Sequence, residues 1–257
     1  MRTSALAALV LSVSVSSAMA QDFKVTTKVF VDDGKRPVRE NDTFFYGGRV
    51  FDSLAPHRAE FTVLDVRTGR IILLDASRKV KATLSLEGEG GLTGFTAQLK
   101  ARAGQVKDDF FLNPQFDQTY DEATGELTLS SDRMSYRVRT SKPRYPQAVA
   151  QYREFADWFA RLNAVRPRNL PPFARLKLNE ALATRRRLPE EVELTLVDGN
   201  KRLSIRAEHD TYWVLSRSDV KRCETIAGYV AEFKSLPLTQ FLLPAKSVAG
   251  KPTTEKR

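Results

Sequence analysis

The chain has only two histidines, His57 and His209, and one cysteine, Cys223. These side chains supply much of nucleophilic and metal chemistry, so their scarcity narrows the possibilities. No His-x-x-x-His or Cys-x-x-Cys spacing occurs, which leaves no signal for a zinc site. There is no Gly-x-Ser-x-Gly elbow to present a serine nucleophile. Gly88, Gly90, Gly91 and Gly94 cluster loosely but match neither phosphate-binding nor dinucleotide-binding spacing. The expectation is a protein with no catalytic residue, no metal and no cofactor.

His57 follows Pro56 and reads as a solvated loop residue. A catalytic base also needs a nucleophile and an orienting group, and no motif marks them. His209 sits in Glu208-His209-Asp210. Two flanking carboxylates would raise its pKa, but neighbours on a strand point to opposite faces. A surface role near a hairpin end is expected. Asp65, Asp75 and Asp117 lie on or beside expected strands. A pair of acids suffices for glycoside hydrolysis, yet each of these reads more simply as a strand-end or turn residue.

Two clusters could bind without reacting. Arg185, Arg186 and Arg187 close an expected helix, where the dipole favours cations; they also suit contact with anionic head groups. Tyr152, Phe155, Trp158 and Phe159 give another helix a broad apolar face. Such a face usually packs on a core. The sharper reading is that it lines an apolar pocket or acts as a lid over one.

The elements that must position these groups are mostly strands. Residues 23–31 alternate, with Phe23, Val25, Thr27, Val29 and Val31 on one side. Strands are expected over 43–51, with a bulge or a close backbone approach at Gly47-Gly48, and over 60–66, 71–75, 80–86, 115–120, 126–130 and 134–140. Residues 92–103 have helical spacing. Helices follow over 147–163 and 173–187, with Pro146 at the first turn and Pro189 ending the second. The Asp198-Gly199-Asn200 turn joins strands over 191–197 and 201–207, and 212–215 is a further short strand. A last helix begins at Ser216 or Ser218 and carries Val220, Cys223, Ile226, Val230 and Phe233. This order gives an α+β fold: a large curved antiparallel sheet, half-open and barrel-like, covered by a few helices. If the sheet is strongly curved, helices can cover its concave face and leave a cavity between; the sequence does not decide whether one forms.

The first twenty residues read as a signal peptide. Arg2 precedes a short apolar stretch, and Ala18-Met19-Ala20 is a small-x-small site for cleavage after Ala20. An exported protein, periplasmic or secreted and not integral to a membrane, is expected. Residues 21–244 then form one α+β domain with a helical insertion near 146–188, and 245–257 form a disordered basic tail. One cysteine forbids an intrachain disulfide, and Cys223 falls on an apolar helix face. The formal net charge is +10. Outside the cytoplasm this favours an anionic envelope component over nucleic acid as partner.

The stretches Tyr46-Gly-Gly-Arg-Val-Phe-Asp52, Ile72-Leu-Leu-Asp75, Asn113-Pro-Gln-Phe-Asp117, Gln151-Tyr-Arg-Glu-Phe-Ala-Asp-Trp158 and Leu188-Pro-Glu-Glu-Val-Glu-Leu-Thr-Leu196 resemble a family of exported bacterial proteins. That resemblance implies export and no particular activity. The order of elements is also similar to the LolA/LolB-type lipoprotein-carrier fold. The strands ending in Val50-Phe51-Asp52, the pair over 61–75 and the helices inserted before later strands carry the likeness. It implies an apolar cavity for acyl chains, although no acyl-site motif is present and the inserted helices are long for such a lid.

Together these features lead to a non-enzymatic periplasmic binding or carrier protein for a lipid or other apolar ligand. Tyr152, Phe155, Trp158 and Phe159 are its expected contacts, and Arg185, Arg186 and Arg187 an expected anionic-surface contact. The alternatives are an envelope structural or interaction protein using a basic surface, and a hydrolase with an unmarked carboxylate site.

Overall fold

The computed structural model describes residues 21–55, 59–106, 109–166 and 169–243. The expected signal peptide, His57 and the expected tail lie outside the described residues.

Strand β1 (Phe23–Val31) forms where alternation predicts it. Phe23 and Val25 are buried on one face; Phe30 is buried on the other. The next segment departs from expectation. Gly47-Gly48 is not a bulge inside one strand but the turn between two, β2 (Arg39–Tyr46) and β3 (Arg49–Ala55). Both glycines have positive φ, 58° and 74°, and Tyr46 pairs with Arg49. A two-residue hairpin turn of the primed type needs that backbone at both positions, which glycine adopts without steric cost.

Strands β4 (Glu60–Asp65), β5 (Arg70–Asp75) and β6 (Val80–Ser85) continue the meander. Helix α1 (Leu92–Ala101) follows, then β7 (Asp117–Asp121), β8 (Glu126–Ser130) and β9 (Met134–Ser141). Helices α2 (Gln147–Ala164) and α3 (Phe173–Thr184) are inserted before β10 (Leu188–Asp198). Strands β9 and β10 nonetheless pair with each other, so the helical pair loops out and returns over the sheet. Strand β11 (Lys201–Tyr212) runs further than expected and absorbs His209. Helix α4 (Arg217–Glu232), the two-residue β12 (Lys234–Ser235) and the short α5 (Leu238–Phe241) complete the described chain.

The twelve strands of the described residues form one sheet, ordered β12-β6-β5-β4-β3-β2-β1-β11-β10-β9-β8-β7. It is curved and unclosed, with β12 and β7 as its edges. The fold is α+β, as the order of elements predicts. The pairing of β1 with β11 joins the two ends of the sequence at the centre of the sheet.

Helix α3 ends at Thr184, three residues earlier than expected. The Arg186 N–H donates to Ala183 O at 2.9 Å and the Arg187 N–H to Leu182 O at 3.0 Å. Arg186 has φ 55°. This is the Schellman arrangement, which stops a helix by one left-handed residue. Pro189 does not end the helix; it lies in β10 beside a register shift.

The helices do not share one face. α2 packs over Phe23, Val25, Phe45, Val50, Leu64 and Ile71. On the same face α3 covers Leu127, Leu129, Val138 and Val192. α4 covers the opposite face, with Cys223, Ile226 and Phe233 against Phe44, Phe51, Val63 and Ile72. Ser216 and Asp219 form a reciprocal capping box at its start, which satisfies two otherwise orphaned donors. Cys223 is fully buried there, and burial pushes its thiol up to about 12.

Candidate ligand-binding site

The sheet face beneath α2 has a polar interruption. Register places His209, Thr27, Asn41 and Leu54 in one row across β11, β1, β2 and β3. The adjacent row runs Thr211, Val25, Thr43, Asp52, Thr62 and Leu73. Side chains in a row stand on the same face and reach one another. Asn41 Nδ2 donates to Asp52 Oδ1 at 2.7 Å, and Thr43 Oγ1 donates to the same atom at 2.7 Å. Thr27 Oγ1 and His209 Nδ1 lie 3.0 Å apart. Apolar packing surrounds this patch toward both ends of the face.

α2 roofs the patch. Tyr152, Phe155, Ala156, Phe159, Ala160 and Leu162 recur at helical spacing and line a cavity of about 240 Å³ above the polar floor. Ala156 and Ala160 supply the room, because their side chains stop at Cβ. Phe155 holds the roof in place through Phe45, with ring centroids 5.6 Å apart, and through Phe159 at 4.3 Å. Three of the four expected aromatic contacts therefore face the cavity. Trp158 does not line it; it packs at the edge of the same apolar core, with Arg161 5.0 Å from its ring.

Sequence reasoning missed the polar half. Arg175 reaches in from α3, and Arg39 and Arg166 sit exposed at the rim. Arg175 Nε donates to Asn179 Oδ1 at 2.9 Å. Among the described residues no carboxylate lies within ion-pair distance of Arg175. One faint signal for this site was visible: Thr27 interrupts a β1 face otherwise made of Phe23, Val25, Val29 and Val31.

His209 corrects the surface role expected for it. Its Nε2 is buried and has no hydrogen-bond partner. Burial, and secondarily the charge of Arg175, push its pKa down to about 3, so the ring is neutral at pH 7. An unmet buried donor or acceptor costs about 1–3 kcal/mol. Asp52 is buried too. Desolvation holds its pKa above the usual carboxylate range, offset in part by Thr43, Asn41 and the charge of Arg39.

The other candidates resolve simply. Asp65 accepts from Arg49 Nε at 2.9 Å and from the Thr68 N–H at 3.1 Å. Asp75 binds Arg78 Nε at 2.6 Å. Asp117 opens the edge strand β7 and is exposed. Asp65 and Asp75 each serve their own arginine, and neither faces the cavity. Arg185, Arg186 and Arg187 fall in the turn after α3 and, with Lys142 and Arg153, border an open cleft of about 550 Å³. Arg187 approaches Glu122 at 3.9 Å, while Arg185 and Arg187 lie over the Tyr120 ring. Within the described residues no helix is long and apolar enough to cross a membrane.

No family model matches the chain, and no curated protein does. Among solved structures it is similar to a LolA superfamily protein from Nitrosomonas europaea, at 8% sequence identity and a TM-score of 0.30, over 78% of this chain and 90% of that one.

Proposed function

We propose that the protein is a non-enzymatic binding or carrier protein that holds an amphipathic, lipid-like ligand between α2 and the sheet, and that it works outside the cytoplasm after export. The cavity carries this reading: its roof is Phe155, Phe159, Leu162 and two alanines, and its floor is Thr27, Asn41, Thr43 and Asp52. A ligand with one apolar side and one polar end matches both surfaces. Ligand sites usually span about 300–1,000 Å³, so a cavity of about 240 Å³ suits a short chain, or a longer one with α2 lifted.

Calorimetric titration of short-chain amphiphiles into detergent-free protein tests the reading. One saturable site is expected, and Ala156→Trp, which fills the roof, abolishes it. A wild-type protein that takes up no such molecule contradicts the proposal.

The basic cleft of Lys142, Arg153, Arg185, Arg186 and Arg187 favours a second role, contact with an anionic envelope surface. Sedimentation with vesicles of anionic and of neutral lipid separates it from carriage: retention on anionic vesicles alone is expected, lost when the three arginines are replaced by glutamine.

A further inference from the structure

We infer that the cleft between the start of α2 and the turn after α3 seats the terminal phosphate of one lipid head group, with Lys142, Arg153 and Arg186 as its cationic contacts. This deepens the second role proposed above, contact with an anionic surface, and rests on it.

The cleft is built from three separate segments. Lys142 follows β9, Arg153 stands on α2, and Arg185, Arg186 and Arg187 form the turn after α3. Its volume of about 550 Å³ lies within the usual range of ligand sites, about 300–1,000 Å³. Five cations line it, and among the described residues no acid does. Lys142 and Arg186 are exposed, and among the described residues neither has an ion-pair partner. Arg153 and Arg187 have only distant ones, Asp157 at 3.7 Å and Glu122 at 3.9 Å. Like charges gathered in this way repel, and an anion between them relieves the repulsion.

Arg186 supplies a separate observation. Its φ of 55° puts it at the left-handed position that closes a Schellman turn, where glycine is the usual residue. Any other residue is strained there, and within the described residues the Arg186 side chain makes no hydrogen bond or ion pair to offset that strain. Strain retained at a position open to a cleft points to a use for the side chain.

The rest of the lining narrows the ligand. Pro143, Pro146, Val149, Ala150 and Ala183 are apolar. A free hydrated anion gains nothing from them, whereas a lipid brings carbon to lay against them. A terminal phosphate carries about two negative charges at pH 7 and three acceptor oxygens, enough to meet cations arriving from three segments. A carboxylate offers two oxygens.

Calorimetric titration of dihexanoyl phosphatidic acid, dihexanoyl phosphatidylcholine and inorganic phosphate into the purified protein tests the inference. Arg186→Gly and Lys142→Gln are each made in wild type and in Ala156→Trp, whose filled roof removes binding beneath α2. In Ala156→Trp, phosphatidic acid is expected to fill one saturable site at least about tenfold more tightly than either other ligand. Each cleft substitution is expected to weaken it by about tenfold in both backgrounds. Urea unfolding shows that the variants are folded, with Arg186→Gly no less stable than its parent. Phosphatidic acid binding that vanishes in Ala156→Trp and ignores both cleft substitutions overturns the assignment to the cleft. Equal affinity for phosphatidylcholine overturns the recognition of a terminal phosphate, and equal affinity for inorganic phosphate overturns the lipid source. Retention on anionic vesicles without saturable binding overturns the single-lipid seat and leaves the surface-contact role standing; loss of retention as well overturns both.

Discussion

Thr27 Oγ1 lies 3.0 Å from His209 Nδ1, linking the first strand of the described chain to a strand 182 positions later. The bond fixes a half-buried imidazole, its Nε2 inaccessible, edge-on to Tyr152, with ring centroids 6.4 Å apart and an interplanar angle of 86°. It sits where β1 and β11 meet at the centre of the sheet, so the site and the longest-range pairing of the fold depend on the same strands.

This histidine makes the fold acid-sensitive. Its folded pKa of about 3 is below the ordinary histidine value of 6.5. Above about 6.5 neither state carries the proton, and its stabilising effect is complete. Between about 6.5 and 3 the unfolded chain takes up a proton that the folded state refuses, so stability falls with pH by about 1.4 kcal/mol per unit for this one group. Urea unfolding at several pH values between 7 and 4 checks this; His209→Gln is expected to have the shallower decline.

Asp52 acts with the opposite sign. Burial raises its folded pKa above 3.8, so the folded state keeps a proton that the unfolded chain has released. Stability declines as pH rises from about 3.8 through the folded value, then levels off. Asp52→Asn keeps an oxygen for Asn41 and Thr43 and removes the buried charge. The variant is expected to unfold at higher urea than wild type at pH 7, with the difference gone below about pH 3.8.

Arg186 pays a local strain. A non-glycine residue in the left-handed region costs about 1–2 kcal/mol, partly returned as unfolded-state entropy when glycine replaces it. Arg186→Gly is expected to raise stability by about 0.5–1 kcal/mol, measured by thermal or urea unfolding. A loss of stability would show that the Arg186 side chain, not its backbone, matters at the basic cleft.

Cys223 is expected to resist thiol reagents in the folded protein, because it is fully buried between α4 and the sheet and its thiol stays protonated at neutral pH. Labelling that follows global unfolding in denaturant supports this; rapid labelling in native buffer shows that α4 opens locally.

Local patterns were legible in the sequence. The alternation of 23–31, the Asp198-Gly199-Asn200 turn and the stripe Val220, Cys223, Ile226 and Val230 all produced the elements they predict, because each is encoded within a few residues. The Gly47-Gly48 pair was misread because glycines inside an aromatic run suit a bulge as well as a turn, and only the pairing of Tyr46 with Arg49 separates them. The aromatic roof was legible from helical spacing, though spacing alone did not show Trp158 turning away. The floor was not legible. Thr27, Asn41, Asp52 and His209 come from four strands, and their rows follow from register between distant segments. Arg175 was invisible for the same reason: it enters from a helix that returns over the sheet.

The most direct test of ligand carriage is mass spectrometry of an organic extract from the protein purified from its native source without detergent, run beside Ala156→Trp. The account predicts a stoichiometric amphipathic molecule with wild type and its absence from the filled variant. The same molecule recovered from both proteins, or none from either, would contradict it.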